Sequence, residues 1–189
     1  MSEKDNKTIL PRHISGVLWG IAKVTSTDRT IANNNIKEAS GLIQTILDYT
    51  LQYKYSRFSG QEISMCIYSL GKLSPQFSNH PAIGLLFVAV ENKINQFNTQ
   101  GLANIIYSLS AILMSTSNSY ATSTDSKNQI NSKNLEAGIS RDTYLLLLDR
   151  VILKLKDFNP QEFSNTLSGI AKIGFSIIFS GNRNVKSSS

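Results

Sequence analysis

One apolar pattern occurs four times in this chain and constrains its fold more than any other feature. The copies read ILPRHISGVLWGIAKV, FSGQEISMCIYSLGKL, FNTQGLANIIYSLSAI and FNPQEFSNTLSGIAKIG, and they begin at residues 9, 58, 97 and 158. In a gapless alignment, successive copies start 49, 39 and 61 residues apart. Such internal periodicity is typical of repeat proteins, in which small helical units stack along the chain. The shortest spacing indicates the length of the unit, and the longer spacings indicate insertions.

Each copy has the periodicity of an amphipathic helix, and we name these helices A1 to A4. Apolar residues recur at i, i+4, i+7 and i+10, on one helical face. They are Ile14, Leu18, Ile21 and Val24; Ile63, Ile67, Leu70 and Leu73; Leu102, Ile106, Leu109 and Ile112; and Phe163, Leu167, Ile170 and Ile173. Small residues beside this face would let a neighbouring helix approach closely. They are Ser15 and Ala22, Ser64 and Gly71, Ala103 and Ser110, and Ser164 and Ala171.

The helix boundaries follow from local signals. Ser59 with Glu62 and Asn159 with Glu162 have the spacing of a capping box, which indicates helix starts. A1 is predicted over 9–24, A2 from about Ser59 to Leu73, and A3 from about Asn98 to Leu113. The opening Phe58, Phe97 and Phe158 are expected to pack back on the preceding helix.

A second helical pattern lies between the copies, and we name its helices B1 to B3. B1 is predicted from Ile36 to about Arg57, B2 from Pro81, and B3 from about Ser140. Leu47, Leu86 and Leu147 each stand eleven residues before the next copy, so the B helices also match one another. The repeating unit is therefore a helical hairpin of about 38 residues.

The domain organisation predicted from these patterns is a single all-α domain without a β-sheet. It is an α-solenoid of about seven helices in a right-handed superhelix, with every A helix on one side. The domain covers 9–179, with repeats at 9–57, 58–96, 97–157 and, in part, 158–179. The Ser-, Thr- and Asn-rich run 115–134 is predicted to be a disordered insertion, and 1–8 and 180–189 disordered tails.

Composition narrows the function classes. The formal net charge of +6 permits nucleic acid or another anionic partner. The single cysteine, Cys66, excludes an intramolecular disulfide and a cysteine-rich zinc site, and we expect it to be a small buried side chain. The longest apolar run, 83–90, is far too short to span a bilayer, and the polar start MSEKDNK is followed by no apolar run that would make a signal peptide. We therefore expect a cytoplasmic protein with no membrane partner, while export without a classical signal and organelle import stay open.

No motif of enzymatic chemistry occurs in the sequence. It contains no P-loop, dinucleotide fingerprint, nucleophile elbow or HExxH. His13 and His80 stand in unrelated positions, which favours surface or loop roles for them. Glu62 and Glu162 fit capping better than acid catalysis. We expect no catalytic residue, no cofactor and no metal.

The runs FNPQEFSNTLSGIAKIG, ISGVLWGIAKV and LANIIYSLSAI resemble the octotricopeptide-type repeats and the helical part of FAST-kinase-like organellar proteins. They are also similar to a bacterial repeat domain of unknown function. The resemblance covers about residues 9–175 apart from the insertion. It implies a stack of helical hairpins that binds RNA, each repeat contacting about one base. The nuclease-like C-terminal domain of the family has no counterpart here.

One stripe of each A helix lies off the apolar face and forms the candidate site. Its RNA-binding candidates are Arg12, Trp19 and Lys23; Gln61, Tyr68 and Lys72; Gln100, Asn104 and Tyr107; and Gln161, Asn165 and Lys172. Amides can bond base edges, aromatic rings can stack on bases, and lysines can hold phosphates. In the alternative interpretation, the aromatic residues pack between repeats and the lysines are ordinary solvated charges.

Two functions remain open on this basis. The first is a non-catalytic module that binds single-stranded RNA. The second is a protein-interaction scaffold, such as an effector-like protein of an intracellular bacterium. Lysines on the B helices would leave the A surface nearly neutral and favour the scaffold; they are Lys37, Lys54, Lys93, Lys154 and Lys156.

The C-terminal end carries a separate prediction. A4 has no following B helix in the sequence, and Phe175, Ile177, Ile178 and Phe179 add further apolar residues. Solenoids normally end in a polar cap, so this pattern predicts self-association through the C-terminal end or continuation into a longer array. The alternative is that residues 174–179 extend A4 and fold back as a cap.

Overall fold

The computed structural model describes residues 9–25, 29–52, 55–73, 76–121, 134–135 and 139–182. Within these ranges the chain forms seven α-helices, joined in two places by a single turn of 3-10 helix. The helices are α1 (Pro11–Thr25), α2 (Arg29–Gln52), α3 (Gly60–Leu73), α4 (Pro81–Asn92), α5 (Thr99–Ala121), α6 (Arg141–Lys154) and α7 (Pro160–Asn182). The predictions of an all-α fold and of about seven helices are confirmed for the described residues.

The helices lie in two rows. Helices α1, α3, α5 and α7 contain the four copies of the pattern, and each packs on the next to form the A row. Helices α2, α4 and α6 contain the second pattern and pack in the same order, which forms the B row. Each of α1, α3 and α5 also contacts the B-row helix that follows it. A helix of one row is therefore always followed by a helix of the other.

The hydrophobic core lies between the two rows. The apolar faces of α3 and α5, from Ile63 to Leu73 and from Leu102 to Ile112, are at most 1% exposed. Burying each such side chain stabilises the fold by about 1.5–3 kcal/mol. Of the three phenylalanines expected to pack back on the preceding helix, Phe58 and Phe97 are buried, and Phe158 is partly buried against the core. At the first helix the prediction is wrong for Val24, which is 62% exposed.

Both predicted capping boxes are present. The backbone N–H of Ser59 donates to Glu62 Oε2 at 2.7 Å, and the backbone N–H of Glu62 donates to Ser59 Oγ at 3.3 Å. The reciprocal distances for Asn159 and Glu162 are 3.2 and 2.9 Å. These pairs satisfy backbone donors that a helix start leaves without partners. The two glutamates are thereby engaged in the helix starts.

Three helices extend beyond their predicted bounds. Helix α2 begins at Arg29 and not at Ile36, α5 continues past Leu113 to Ala121, and α7 continues to Asn182. Ser, Thr and Asn cost less than about 0.7 kcal/mol each in a helix, and lengthening a helix is easier than starting one. In α5 the hydroxyls of Ser115 and Thr116 donate to carbonyls of the preceding turn at 2.9 Å. The first seven residues of the predicted insertion and the first three of the C-terminal tail are therefore helical.

Helix α2 ends at Gln52, before the predicted limit at Arg57. Tyr55 has a left-handed backbone with φ of 48°, which a continuing helix does not allow. Its ring is fully buried and meets the Phe58 ring edge-on, with centroids 5.3 Å apart. Packing of this ring pair holds the turn in the left-handed conformation.

The expectation of no β-sheet is wrong at one point. Asn134–Leu135 pairs antiparallel with Ile139–Ser140 in a two-stranded ribbon directly before α6. Ile139 is fully buried, and the Ser140 hydroxyl caps α6 by accepting from the Thr143 N–H at 3.0 Å. Anchoring of Ile139 in the core explains the order of this ribbon, of which only Asn134 belongs to the predicted insertion. The rest of the insertion, 122–133, and the predicted tails 1–8 and 183–189 lie outside the described residues.

Close approach within the A row depends on small residues, as predicted for Gly71, while Gly169 was not among the predicted small residues. A Cβ added to Gly71 of α3 would lie 2.5 Å from the Cβ of Ser108 in α5. A Cβ added to Gly169 of α7 would lie 2.8 Å from Ile106 Cγ2 and 2.9 Å from the Ile106 carbonyl oxygen, both in α5. A larger side chain at either glycine would push the two helices apart.

Candidate nucleic-acid interface

A cavity of about 550 Å³ lies on the A row where α1, α3 and α5 run side by side. Its lining includes five of the twelve predicted RNA-binding candidates: Trp19, Gln61, Tyr68, Gln100 and Asn104. They come together because the candidate stripe holds the same position in every copy, and the A-row helices align the copies. None of the residues that line this cavity is acidic.

The polar character of the cavity comes mainly from side-chain amides. Two of them serve the fold: Gln96 Oε1 accepts from the Gly60 N–H at 3.1 Å, and Asn98 Oδ1 accepts from the Gly101 N–H at 2.8 Å. Gln61 and Gln100 are exposed, and Asn104 is half-buried. An amide offers both a donor and an acceptor, which is the complement of a base edge.

Aromatic rings and lysines form a ladder beside the cavity. Lys23 Nζ lies 5.9 Å from the Trp19 ring centroid, and Lys72 Nζ lies 5.6 Å from that of Tyr68. Each of these pairs has the i, i+4 spacing that places side chains together on a helix. Lys72 Nζ is also 5.3 Å from the Tyr107 ring centroid, so it bridges α3 and α5.

Helix α7 completes the ladder. Lys172 Nζ lies 5.2 Å from the same Tyr107 ring centroid, on the far side of α5 from α3. Distances below about 6 Å allow cation–π attraction, worth about 0.5–1 kcal/mol at exposed sites. The cross-helix contacts connect the stripes of α3, α5 and α7 into one charged surface. Sequence reasoning found these residues singly but missed the contacts between helices.

Three of the twelve candidates lie apart from the cavity and the ladder. Gln161 Nε2 donates to Asn165 Oδ1 at 3.1 Å, so these two amides bond to each other on α7. Arg12 is exposed in the first turn of α1. The candidate surface is therefore best assembled on α1, α3 and α5, with Lys172 as its contribution from α7.

The aromatic residues of the stripe are not buried between repeats. Trp19 is 44% exposed, and Tyr68 and Tyr107 are half-buried. Lys23, Lys72 and Lys172 are exposed. The interpretation that these rings serve only as packing between helices is therefore incomplete, because each presents part of its surface to solvent.

The remaining reactive side chains serve the fold. Cys66 is buried as predicted, and burial, assisted by the charge of Glu62, raises the pKa of its thiol. Burial also raises the pKa of the Tyr55 hydroxyl. Within the described ranges, no three His, Cys, Asp or Glu side chains are grouped so that they could hold a metal ion.

His80 has a role that sequence reasoning missed. It lies in a loop as predicted, but its side chain is only 8% exposed. Its Nδ1 accepts from the Ala82 N–H at 3.1 Å and caps α4. Its Nε2 lies 2.7 Å from the Gln44 side-chain nitrogen and 3.4 Å from an Asp48 carboxylate oxygen, both on α2. The sequence did contain a signal for this capping role. Pro81 marks the start of a helix, so the residue before it, His80, stands at the N-cap.

Comparisons with protein-family models, with curated proteins and with solved structures found no match to this chain. Among the helices of the described residues, none has the length and the apolar run that crossing a bilayer requires.

Proposed function

We propose that this chain is an RNA-binding α-solenoid of octotricopeptide-like repeats, with a right-handed superhelix, and that it acts without catalysis. The observation that carries the proposal is the shared surface of the A row, where a cavity rich in amides lies beside the ladder of lysines and aromatic rings. Each element matches one requirement of single-strand binding: stacking, base-edge hydrogen bonds and phosphate neutralisation.

Bases would enter the cavity between α1 and α5. Trp19 and Tyr68 offer partly open rings for stacking, worth about 1–3 kcal/mol per base. Gln61, Gln100 and Asn104 would then bond the base edges. Because each A helix offers the same stripe positions, the strand runs across the helices and meets about one base per repeat.

The phosphates would lie along the lysine ladder. Lys23, Lys72 and Lys172 are exposed, so phosphates reach them without disturbing the core. Glu62 and Glu162, the acids nearest in sequence on α3 and α7, are engaged in capping boxes. The positive charge of the stripe is therefore opposed by few carboxylates.

The decisive experiment compares two triple variants that remove the same charge. The first variant, called the A-row variant, replaces Lys23, Lys72 and Lys172 with alanine. The second, called the B-row variant, replaces Lys37 of α2, Lys154 of α6 and Lys156 in the turn after α6 with alanine. Binding to a fluorescent single-stranded RNA is followed by anisotropy over a range of salt concentrations.

The A-row variant is expected to lose affinity and to flatten the salt dependence by about two in log–log slope, since each phosphate contact contributes about 0.7. The B-row variant is expected to bind nearly as the parent protein does. Equal losses in both variants, or none in the A-row variant, would contradict the proposed site. Thermal unfolding of both variants checks that they are folded.

The second candidate is a protein-interaction scaffold, and one observation favours it. On helix α6 the neighbouring residues Ile152 and Leu153 are 67% and 70% exposed. A cluster of exposed apolar side chains marks a surface that binds a partner. Under this alternative the parent protein binds no RNA even at low salt, and the two lysine variants behave alike.

A further inference from the structure

The contacts of α3 with α5 and of α5 with α7 each join two different faces of the repeat. The forward face holds the positions of Ser64, Ile67 and Gly71 in α3, and it meets the following A-row helix. The backward face holds the positions of Cys66, Ser69 and Leu73, and it meets the preceding one. Two glycines show the direction: forward Gly71 touches Ser108 of α5, and backward Gly169 touches Ile106 of α5.

The forward face is covered in three helices and open in the fourth. Its central residue is 1% exposed at Leu18, 1% at Ile67 and 0% at Ile106, but 50% at Leu167 of α7. The flanking small residues of α7, Ser164 and Ala171, are exposed as well. Among the described elements, α7 packs chiefly on α5, which lies at its backward face.

The backward face is open at the opposite end of the row. Val17 and Val24 of α1 are 44% and 62% exposed. The residues at the same repeat positions in the other three A-row helices are at most 1% exposed; they are Cys66 and Leu73, Ile105 and Ile112, and Thr166 and Ile173. The described chain thus exposes one half of a repeated contact at each end of the A row.

The two open halves have matching shapes. In the contact of α5 with α7, Ile106 lies directly over Gly169. Leu167 holds the repeat position of Ile106, and Gly20 holds that of Gly169. A Cβ added to Gly20 would meet nothing within 4 Å, so the space over this glycine is open.

We infer that copies of this chain associate head to tail, with the forward face of α7 packing on the backward face of α1 in a second copy. Leu167 then lies over the second copy's Gly20, as Ile106 lies over Gly169 within one copy. If two α7 helices paired with each other, two forward faces would meet. Leu167 of each copy would then face a surface that lacks the glycine over which it packs.

The junction between copies is weaker than the contacts inside the chain. Glu91 of α4 accepts hydrogen bonds from Ser140 and Thr143 at the start of α6, so its repeat position faces the next B-row helix. Ile152 holds that position in α6 and is 67% exposed. Head-to-tail packing leaves it uncovered, so the junction buries A-row surface only. Such a contact does not close on itself, and assembly grows with concentration beyond the dimer.

The test uses two variants that each block one face, studied by sedimentation over ~1 µM to ~1 mM, where weak associations dissociate. Leu167→Glu places a charge on the forward face. Gly20→Glu blocks the backward face, and it raises helix propensity in open space, so folding is retained. The matched control is Gly16→Glu on the same helix, where an added Cβ also meets nothing within 4 Å.

The parent protein and the Gly16→Glu control are expected to increase in average mass with concentration, past the mass of a dimer. Each blocking variant alone stays monomeric, and an equimolar mixture of the two forms a dimer and nothing larger. A monomeric parent protein at every concentration would overturn the inference. Dimers of Gly20→Glu that Leu167→Glu does not form would also overturn it, because they indicate pairing of two α7 helices.

Discussion

The middle and the ends of the A row have the same sequence pattern and different surroundings. In α3 and α5 all four residues of the predicted apolar face are at most 1% exposed. In α7 the first two, Phe163 and Leu167, are 40% and 50% exposed, and in α1 the last, Val24, is 62% exposed. The repeat unit therefore specifies which faces are apolar, while the neighbouring helices decide which of those faces is buried.

The largest difference in stability between the middle and the end of the A row is expected when the central residue of the forward face is shortened to alanine. Ile106→Ala in α5 is expected to reduce the free energy of unfolding by about 2–5 kcal/mol, because it opens a cavity in a fully buried contact. Leu167→Ala at the same repeat position in α7 is expected to cost less than about 1 kcal/mol when the protein is monomeric. Urea unfolding measures both. Equal losses would mean that the ends of the row are packed as tightly as its middle.

Substitution of the two backward-face glycines, Gly169 and Gly20, by alanine is expected to change stability in opposite directions. Gly169→Ala would bring a Cβ within 2.9 Å of a backbone oxygen in α5, and overpacking of this kind costs about 1–3 kcal/mol. Gly20→Ala in α1 meets open space and is expected to stabilise the protein by up to about 1 kcal/mol through helix propensity. The two melting temperatures should move in opposite directions. A fall in both melting temperatures would show that the backward face of α1 is covered, and a rise in both would show that α5 does not crowd Gly169.

The last comparison concerns pH, and it depends on the burial of Cys66 on the backward face of α3. Because burial raises the pKa of this thiol from its usual 9.0, it ionises only after unfolding. The contribution of the thiol to the free energy of unfolding is fully present below about pH 9. It is lost as the pH rises, by about 1.4 kcal/mol at pH 10. Cys66→Val is expected to reduce the slope of stability against pH between 9 and about 10.5. An unchanged slope would mean that the thiol does not contribute to it.

Local spacing was sufficient to predict the A-row helices, the two capping boxes and five of the twelve residues that line the cavity. The absence of a following B helix predicted uncovered apolar surface on A4, but the exposure of Val24 could not be predicted from spacing, since it depends on which helix lies alongside. The contact of Lys72 with Tyr107 joins two helices at a distance that no spacing within one helix reveals. The extension of α7 over 174–179 was one of the two alternatives, whereas the far end of α5 and the last three residues of α7 were missed because polar composition resembles that of a loop when packing is unknown.

The chain contains a single tryptophan, and Trp19 lines the cavity with 44% of its surface exposed. Its fluorescence therefore reports directly on the surface where RNA is proposed to bind. If bases stack in this cavity, titration with single-stranded RNA will quench Trp19 emission at the concentrations at which RNA anisotropy saturates, and acrylamide will reach the indole less readily. RNA binding that leaves the emission and the acrylamide accessibility of Trp19 unchanged would contradict the proposed site.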